Sequence, residues 1–490
     1  MSPDILTIMG SSDSGSSRDF LWISLVLFII LCIAFLLPLQ PHDYWFYVRV
    51  GQDTMQNGAV PRVDMISWSQ FGSPIYYQPW LSAVLFWLIY KVGGLPLTFI
   101  LRGLLIGITY GLVWKMMRKR GVGAIFASSL TLLLALATSN NWSMRPQLFA
   151  YPLFVFTLFI LFRWQDGKNK TLWTLPLISL LWVNLHGSFI LLFVLAGTAL
   201  LFGKGDKKNL FIWMGASTLM TLINPQHIRV WGYVGTMLQS PSDQLFSVEW
   251  HPPQNIGWQM NIFFAWLLLF APLVAISNKR LPLFEWIWIL LFGWMALSGV
   301  RYIIWFLIIL SVSTAHLLSS VHTLVDESKA DTKLVLNYIL GCIFLLSSLS
   351  LLPTFREKWW FSAPSPYALA NTPVDAVEWL SSHPDIPGPL WNDYAFGSYL
   401  AFALPSFRPW MDSRFNAYTP QQWEEYRALA NATVDWESFF DRKSINLLML
   451  SIAGEPELIK AVANNSSWCK LYQDQYAVIF GRRGASEFCP

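Results

Sequence analysis

Asp43 stands in the stretch PHDYWFYVRVGQ, Pro41–Gln52, directly after an apolar run that begins at Phe20 and is as long as a membrane span. A carboxylate fixed there, beside Tyr44 and Trp45, has the makings of a general base. Aromatic neighbours remove part of its hydration, and the expected result is a raised proton affinity. Three arginines offer the complementary charge. Arg145 and Arg301 fall at the ends of apolar runs on the side of Asp43, and Arg102 lies in the outer half of another, where a guanidinium is costly unless paired or bound to an anion. One carboxylate and several cations at one face of a membrane suit the deprotonation of a hydroxyl and the displacement of a lipid-borne phosphate.

Further side chains on that face are candidates for binding substrate, each with a plainer alternative. Trp45 shapes an aromatic pocket, and Arg49 either contacts substrate or pairs with Asp43 or Asp53. Asp64 either holds its loop or supplies a carboxylate to a metal. His186, in NLHGS, either meets substrate or makes a structural hydrogen bond. Glu249 and His251, in EWHPP, either line an acceptor cleft or form an interfacial turn, and Arg301 can equally reach for lipid headgroups. Arg408, Asp412 and Arg414 in the tail read as solvated surface charge and stay outside the site.

The elements that must position these groups are membrane helices. Of 490 residues 54% are hydrophobic and only 13% charged, and the mean hydropathy is +0.43, far from a soluble composition. A net charge of +4 is small for the length and implies no nucleic-acid partner. Apolar runs recur at 20–39, 95–114, 121–138, 146–162, 171–185, 188–203, 209–223, 258–277, 282–299, 300–321 and 334–353, which predicts about 11 transmembrane helices. Basic loops (KMMRKR, RWQDGKNK, GKGDKK, SNKR, DESKADTK) then fall on one side, the cytoplasmic one by the positive-inside bias. That register requires Trp80–Gly94 to be an interfacial or re-entrant helix and not a span.

The expected organisation is a cytoplasmic N-terminal segment (1–19), a transmembrane domain (20–353) with a first extracytoplasmic loop (40–94), and an extracytoplasmic soluble α/β domain (354–490). In the tail, PVDAVEWLSS, PQQWEEYRALAN and EPELIKAVAN read as helices, and INLLMLSI and YAVIFGRR as strands. Cys469 and Cys489 are expected to pair if the tail faces an oxidising compartment. Neither GxGxxG nor DxD occurs outside the membrane runs, which argues against a nucleotide-sugar donor.

The stretch from His42 to Gly94 resembles the first extracytoplasmic loop of the GT-C superfamily of polytopic glycosyltransferases, in particular the bacterial protein-mannosyltransferase-like group. There an acidic residue follows span one, then come a W/H-x-R-x-G segment, a P-x-x-D and an interfacial helix. RPQ (145–147), NLHGS (184–188), INP (223–225) and EWHPP (249–253) are shorter points of similarity. The resemblance implies an integral protein of the bacterial inner membrane. Its reaction would move a sugar from a polyprenyl-phosphate donor to a hydroxyl of a glycan, lipid or protein acceptor, in a single inverting displacement with Asp43 as base. No cofactor is called for, and a divalent metal stays open. Two rival readings are a flippase for lipid-linked glycans, which would show internal repeats and midplane charges, and a non-catalytic assembly subunit, which has no need of Asp43.

Overall fold

The computed structural model describes residues 17–320, 334–359, 367–485 and 489. The expected basic loop DESKADTK and most of the N-terminal segment lie outside the described residues. Helices α1 (Ser17–Leu36), α2 (Tyr44–Asn57), α3 (Trp80–Lys119), α4 (Ala124–Thr138), α5 (Gln147–Gln165), α6 (Leu175–Leu185), α7 (Ile190–Phe202) and α8 (Lys207–Met220) form the first part of the bundle. The short α9 (Arg229–Leu238) and α10 (Pro241–Phe246) precede α11 (Trp258–Ile276), α12 (Leu283–Ser298), α13 (Ile303–Leu318) and α14 (Leu334–Ser348). Apart from α2, α9 and α10, which carry polar faces, these helices are largely apolar around their circumference, as a chain needs when its surroundings are hydrocarbon. α13 is the axis of the bundle, with all its residues but His316 and Leu318 buried. Leu104, Phe211, Leu268, Leu290 and Trp294 are exposed on the outside of other helices, the apolar exterior of a membrane protein.

Each of the eleven apolar runs lies on a helix, but the lengths differ from expectation. Among the described residues six helical segments are long and apolar enough to cross a membrane, or seven if the bent pair Val335–Leu351 and Pro353–Trp359 is one span. α6, α7, α8 and α12 have 11, 13, 14 and 16 residues, short of the roughly 20 a perpendicular crossing takes. Breaks such as the His186–Gly187 corner cut their runs short. The helix expected over Trp80–Gly94 ends at Gly94, whose backbone is non-helical (φ 56, ψ −146), and the next run follows without a loop, so the 40-residue α3 is two helices joined across a kink. That conformation is open to glycine, and Pro96 then restarts the helix in its own first turn.

α2 lies against the first half of α3. A Cβ at Gly51 would come 2.1 Å from the carbonyl oxygen of Ala83, so glycine is what permits the approach. The tail begins with α15 (Pro353–Trp359) and α16 (Val374–Ser381). It continues through β1 (Leu390–Asn392), α17 (Tyr394–Ala403), α18 (Pro420–Ala430), α19 (Trp436–Arg442), β2 (Leu447–Ser451), α20 (Pro456–Ala463), β3 (Trp468–Gln473) and β4 (Ala477–Arg482). The sheet order is β1-β2-β4-β3, with β1 and β2 parallel and the other pairs antiparallel. β2 and β4 are the two runs that read as strands. Cys469 and Cys489 form a disulfide.

The tail docks onto the first loop through buried polar joints. Trp68 Nε1 donates to the Leu390 carbonyl (2.7 Å), Arg49 Nη1 to the Ala401 carbonyl (2.9 Å), and Arg414 Nη2 to Asp64 Oδ2 (2.9 Å). Trp45 packs between Tyr399, Phe402 and Tyr90.

Candidate active site

The chain leaves α1 and must turn before α2 can lie on α3, and Asp43 sits at that turn as the N-cap of α2 with φ 44. A positive φ outside glycine is strained and persists only where its surroundings hold it. Here they do: the Asp43 amide donates to Ser413 Oγ (3.0 Å), and Ser413 Oγ donates back to Asp43 Oδ1 (3.0 Å). Asp43 Oδ2 forms an ion pair with Arg145 Nε and lies 3.4 Å from His42 Nδ1. Arg145 Nη1 in turn bonds Glu249 Oε1.

These groups face a cavity of about 160 Å³ whose wall also includes His186, Asp243, Arg301 and Arg414. The Arg301 guanidinium stacks 4.3 Å over the Trp250 ring, which aims it along the wall. His186 Nδ1 accepts from the Ser188 amide (3.1 Å), leaving the ring proton on Nε2. Burial, helped by Arg301, pushes the His186 pKa down to about 3, so it is a neutral imidazole. Burial also raises the Asp243 carboxyl above its usual range.

The expectation for the proton affinity of Asp43 needs correction. Burial does push it upward, but Arg145, His42 and Ser413 together outweigh burial and hold the carboxyl below the usual carboxylate range. Asp43 is therefore an ionised, paired carboxylate. The two carboxylates on Arg145 outweigh its own burial and keep it firmly charged.

Of the sequence-predicted residues, Asp43, Arg145, His186, Glu249 and Arg301 meet at this cavity. The rest do not line it. Arg102 turns inward from α3, where it bonds the Leu37 carbonyl and stacks 4.3 Å over Phe99; with Arg356, which donates to the Phe35 carbonyl, it caps the end of α1. Trp45 is sealed among the aromatics that join the loop to α17. Arg49 forms an i,i+4 pair with Asp53 (3.0 Å), and exposed His251 reaches the Gln244 carbonyl through Nε2 (3.1 Å). Asp64 accepts from the Ile66 amide (2.7 Å) and pairs with Arg414.

Arg414 corrects the reading of the tail charges as solvated surface. It is buried, paired with Asp64 (2.9 Å) and Asp412 (2.5 Å), hydrogen-bonded to Tyr77 (2.9 Å), and part of the cavity wall. Ser413, its neighbour and the second partner of Asp43, carried no sequence signal beyond its place in the charge-dense MDSR. Among the described residues no three His, Cys, Asp or Glu side chains are grouped to hold a metal ion, and both Asp43 and Glu249 are engaged by Arg145.

No protein-family model matches the chain, and no curated protein sequence does. Solved structures do match in fold. The archaeal oligosaccharyltransferase AglB from Archaeoglobus fulgidus, in complex with an inhibitory peptide and a dolichol-phosphate, aligns at 12% identity over 95% of this chain and 74% of its own, with a TM-score of 0.57. The arabinofuranosyltransferase AftD from Mycobacteria aligns at 15% identity over 94% of this chain and 41% of its own, TM-score 0.56. ArnT from Cupriavidus metallidurans, bound to undecaprenyl phosphate, aligns at 13% identity over 96% and 98%, TM-score 0.50. All three are GT-C glycosyltransferases, and this chain shares their fold over 94–96% of its length.

Proposed function

We propose that this protein is a membrane glycosyltransferase that moves a sugar from a polyprenyl-phosphate carrier to an acceptor hydroxyl at the Asp43 cavity. The observation that carries the reading is the Asp43–Arg145 ion pair, held at helix ends beside a cavity in a chain of GT-C fold. In the resting protein the two groups neutralise each other. A donor phosphate entering the cavity competes for Arg145, with Arg301 as a second cation. As Arg145 turns to the phosphate, Asp43 loses the partner that depresses its proton affinity and becomes a better base.

The acceptor oxygen then attacks the anomeric carbon while the bond from that carbon to the phosphate oxygen breaks. The phosphate leaves with the bonding electrons, and the hydroxyl proton passes to Asp43. A single displacement inverts the anomeric centre. Tyr47, which lines the same cavity, and neutral His186 would contact the sugar.

The reading includes eleven crossings, the short helices counted among them, with the Asp43 cavity and the soluble domain on the extracytoplasmic side of a bacterial inner membrane. Reporter fusions after Arg120 and Lys208 are expected to read cytoplasmic, and one at the C-terminus extracytoplasmic. The activity is tested by transfer of labelled sugar from polyprenyl-phosphate donors by purified protein in nanodiscs. Absence of transfer from every such donor, with the protein folded, would overturn the proposal.

A further inference from the structure

A second cavity, of about 640 Å³, opens at the other end of the bundle. α5 begins at Gln147 on the Asp43 cavity and brings Phe162, Arg163 and Gln165 to this one; α13 follows Arg301 and brings His316 here. At 1.5 Å per residue these helices are about 28 and 24 Å long, so the two cavities stand apart by about the thickness of a bilayer's hydrocarbon core.

Six cations line the second cavity, Lys119, Arg120, Arg163, Lys204, Lys279 and Arg280, against two carboxylates, Asp166 and Glu285. Glu285 is fully buried and already bonded by Arg120 Nη2 (2.6 Å). Charge bias toward one membrane face accounts for basic loops, and cations in the last turns of α3 and α5 complement helix dipoles. Neither accounts for convergence. Lys204, Lys279 and Arg280 come from connecting loops and still line the same space, where like charges raise one another's energy until an anion enters.

The wall holds its cations in place. The Arg120 guanidinium lies 4.0 Å over the Phe162 ring, while Lys119 and Arg163 flank the Phe159 ring at 5.2 and 5.6 Å. Arg163 Nε is buried with no hydrogen-bond partner. Met116 and Leu281 add apolar wall beside the cations, a surface for the acyl side of an amphiphile.

We propose that this cavity binds an anionic phosphate group, carried by the headgroup of a lipid in the leaflet opposite the Asp43 cavity. Guanidinium forks match phosphate oxygens, and basic pockets between helix ends are where such headgroups seat. The site is separate from sugar transfer, and its test needs none.

The full chain in neutral detergent is titrated with dioleoyl phosphatidylglycerol, dioleoyl phosphatidylcholine and inorganic phosphate, and bound molecules are counted by native mass spectrometry. Two triple variants are compared, with thermal unfolding recorded for each. Lys204→Gln/Lys279→Gln/Arg280→Gln removes cavity cations, and Lys168→Gln/Lys170→Gln/Lys208→Gln removes cations of the same face that do not line it. Phosphatidylglycerol retention is expected to fall by at least roughly tenfold in the first and less than about twofold in the second. Should the first variant misfold, Lys279→Gln alone is expected to lower retention by roughly fivefold. Equal losses in both triple variants, or phosphatidylcholine held as well as phosphatidylglycerol, overturn the site. Displacement of phosphatidylglycerol by millimolar inorganic phosphate overturns the lipid assignment and leaves a soluble phosphate as the ligand.

Discussion

Two carboxylates of the first loop, Asp43 and Asp64, each pair with an arginine from elsewhere in the chain, and the pairs differ mainly in access to water. The side chains of Asp43 and Arg145 are 18% and 28% exposed and face a cavity; those of Asp64 and Arg414 are 1% and 3% exposed and buried between the loop and the C-terminal tail. The buried pair is closed within a network with Asp412 and Tyr77, so its first role is to hold the two parts together. An open pair can trade one ion for a ligand's. The same chemistry thus serves as a joint in one place and as a candidate reaction centre some twenty residues away, and burial makes the difference.

The largest effect that sharpens this contrast is expected from Asp43→Asn. The amide keeps the size of the side chain but takes up no proton, so sugar transfer in nanodiscs should fall by about two to four orders of magnitude while the thermal midpoint hardly moves. Transfer at the wild-type rate would remove Asp43 from catalysis and bring the flippase and assembly-subunit readings forward.

Breaking the buried pair should do the reverse. Arg414→Ala leaves Asp64 and Asp412 buried without their cation, which costs about 3–5 kcal/mol, and thermal unfolding together with proteolysis at the loop–domain joint should report it. A loss of transfer at unchanged stability would instead count Arg414, which borders the cavity, among the groups that touch substrate.

Arg145→Ala tests whether the open pair exchanges partners. The donor KM should rise by roughly tenfold to a hundredfold with a smaller change in kcat. The pH profile should move as well. In the wild type Asp43 keeps its proton-accepting form until the pH falls through a value below the ordinary 3.8, and the pair's contribution to stability is lost over that same acid range. Without Arg145, burial is left as the strongest influence, and the acid limb of kcat/KM should shift to higher pH. An unmoved limb would mean that Arg145 does not set the charge of Asp43.

Much of this contrast was legible in the sequence, for an identifiable reason. Asp43, Arg145, His186 and Arg301 are polar residues at the ends of apolar runs, and a bundle brings the ends of its helices together whatever its packing; Glu249 comes from the longer connection between two runs and stands out only by its EWHPP setting. What was misread depends on rotation or on distant pairing. A position in the outer half of a run does not say which way Arg102 turns about the helix axis. The proton affinity of Asp43 depends on a partner about a hundred residues away. Arg414 looked like surface charge because its burial arises only when the tail docks on the first loop. The Gly93–Gly94 pair, by contrast, marks the kink of α3 in the sequence itself, because the backbone at Gly94 (φ 56) is one that glycine adopts readily.

The smallest expected effect belongs to a third acidic residue, Asp53, one face further along α2. It pairs with Arg49 at i,i+4, and both side chains are partly exposed (15% and 21%), so the pair contributes only about 0.3–0.5 kcal/mol. Arg49 keeps its bond to the Ala401 carbonyl when Asp53 is neutralised, so α2 stays tied to α17 of the tail. Asp53→Asn should therefore leave transfer within about twofold of wild type and shift the thermal midpoint by a degree or two at most. The comparison with Asp43→Asn is informative because both substitutions remove one negative charge from the same short segment. A tenfold loss of transfer in Asp53→Asn at unchanged stability would show that the net charge or tilt of α2, and not a carboxylate at the cavity, controls the rate. Proton transfer to Asp43 would then lose its support.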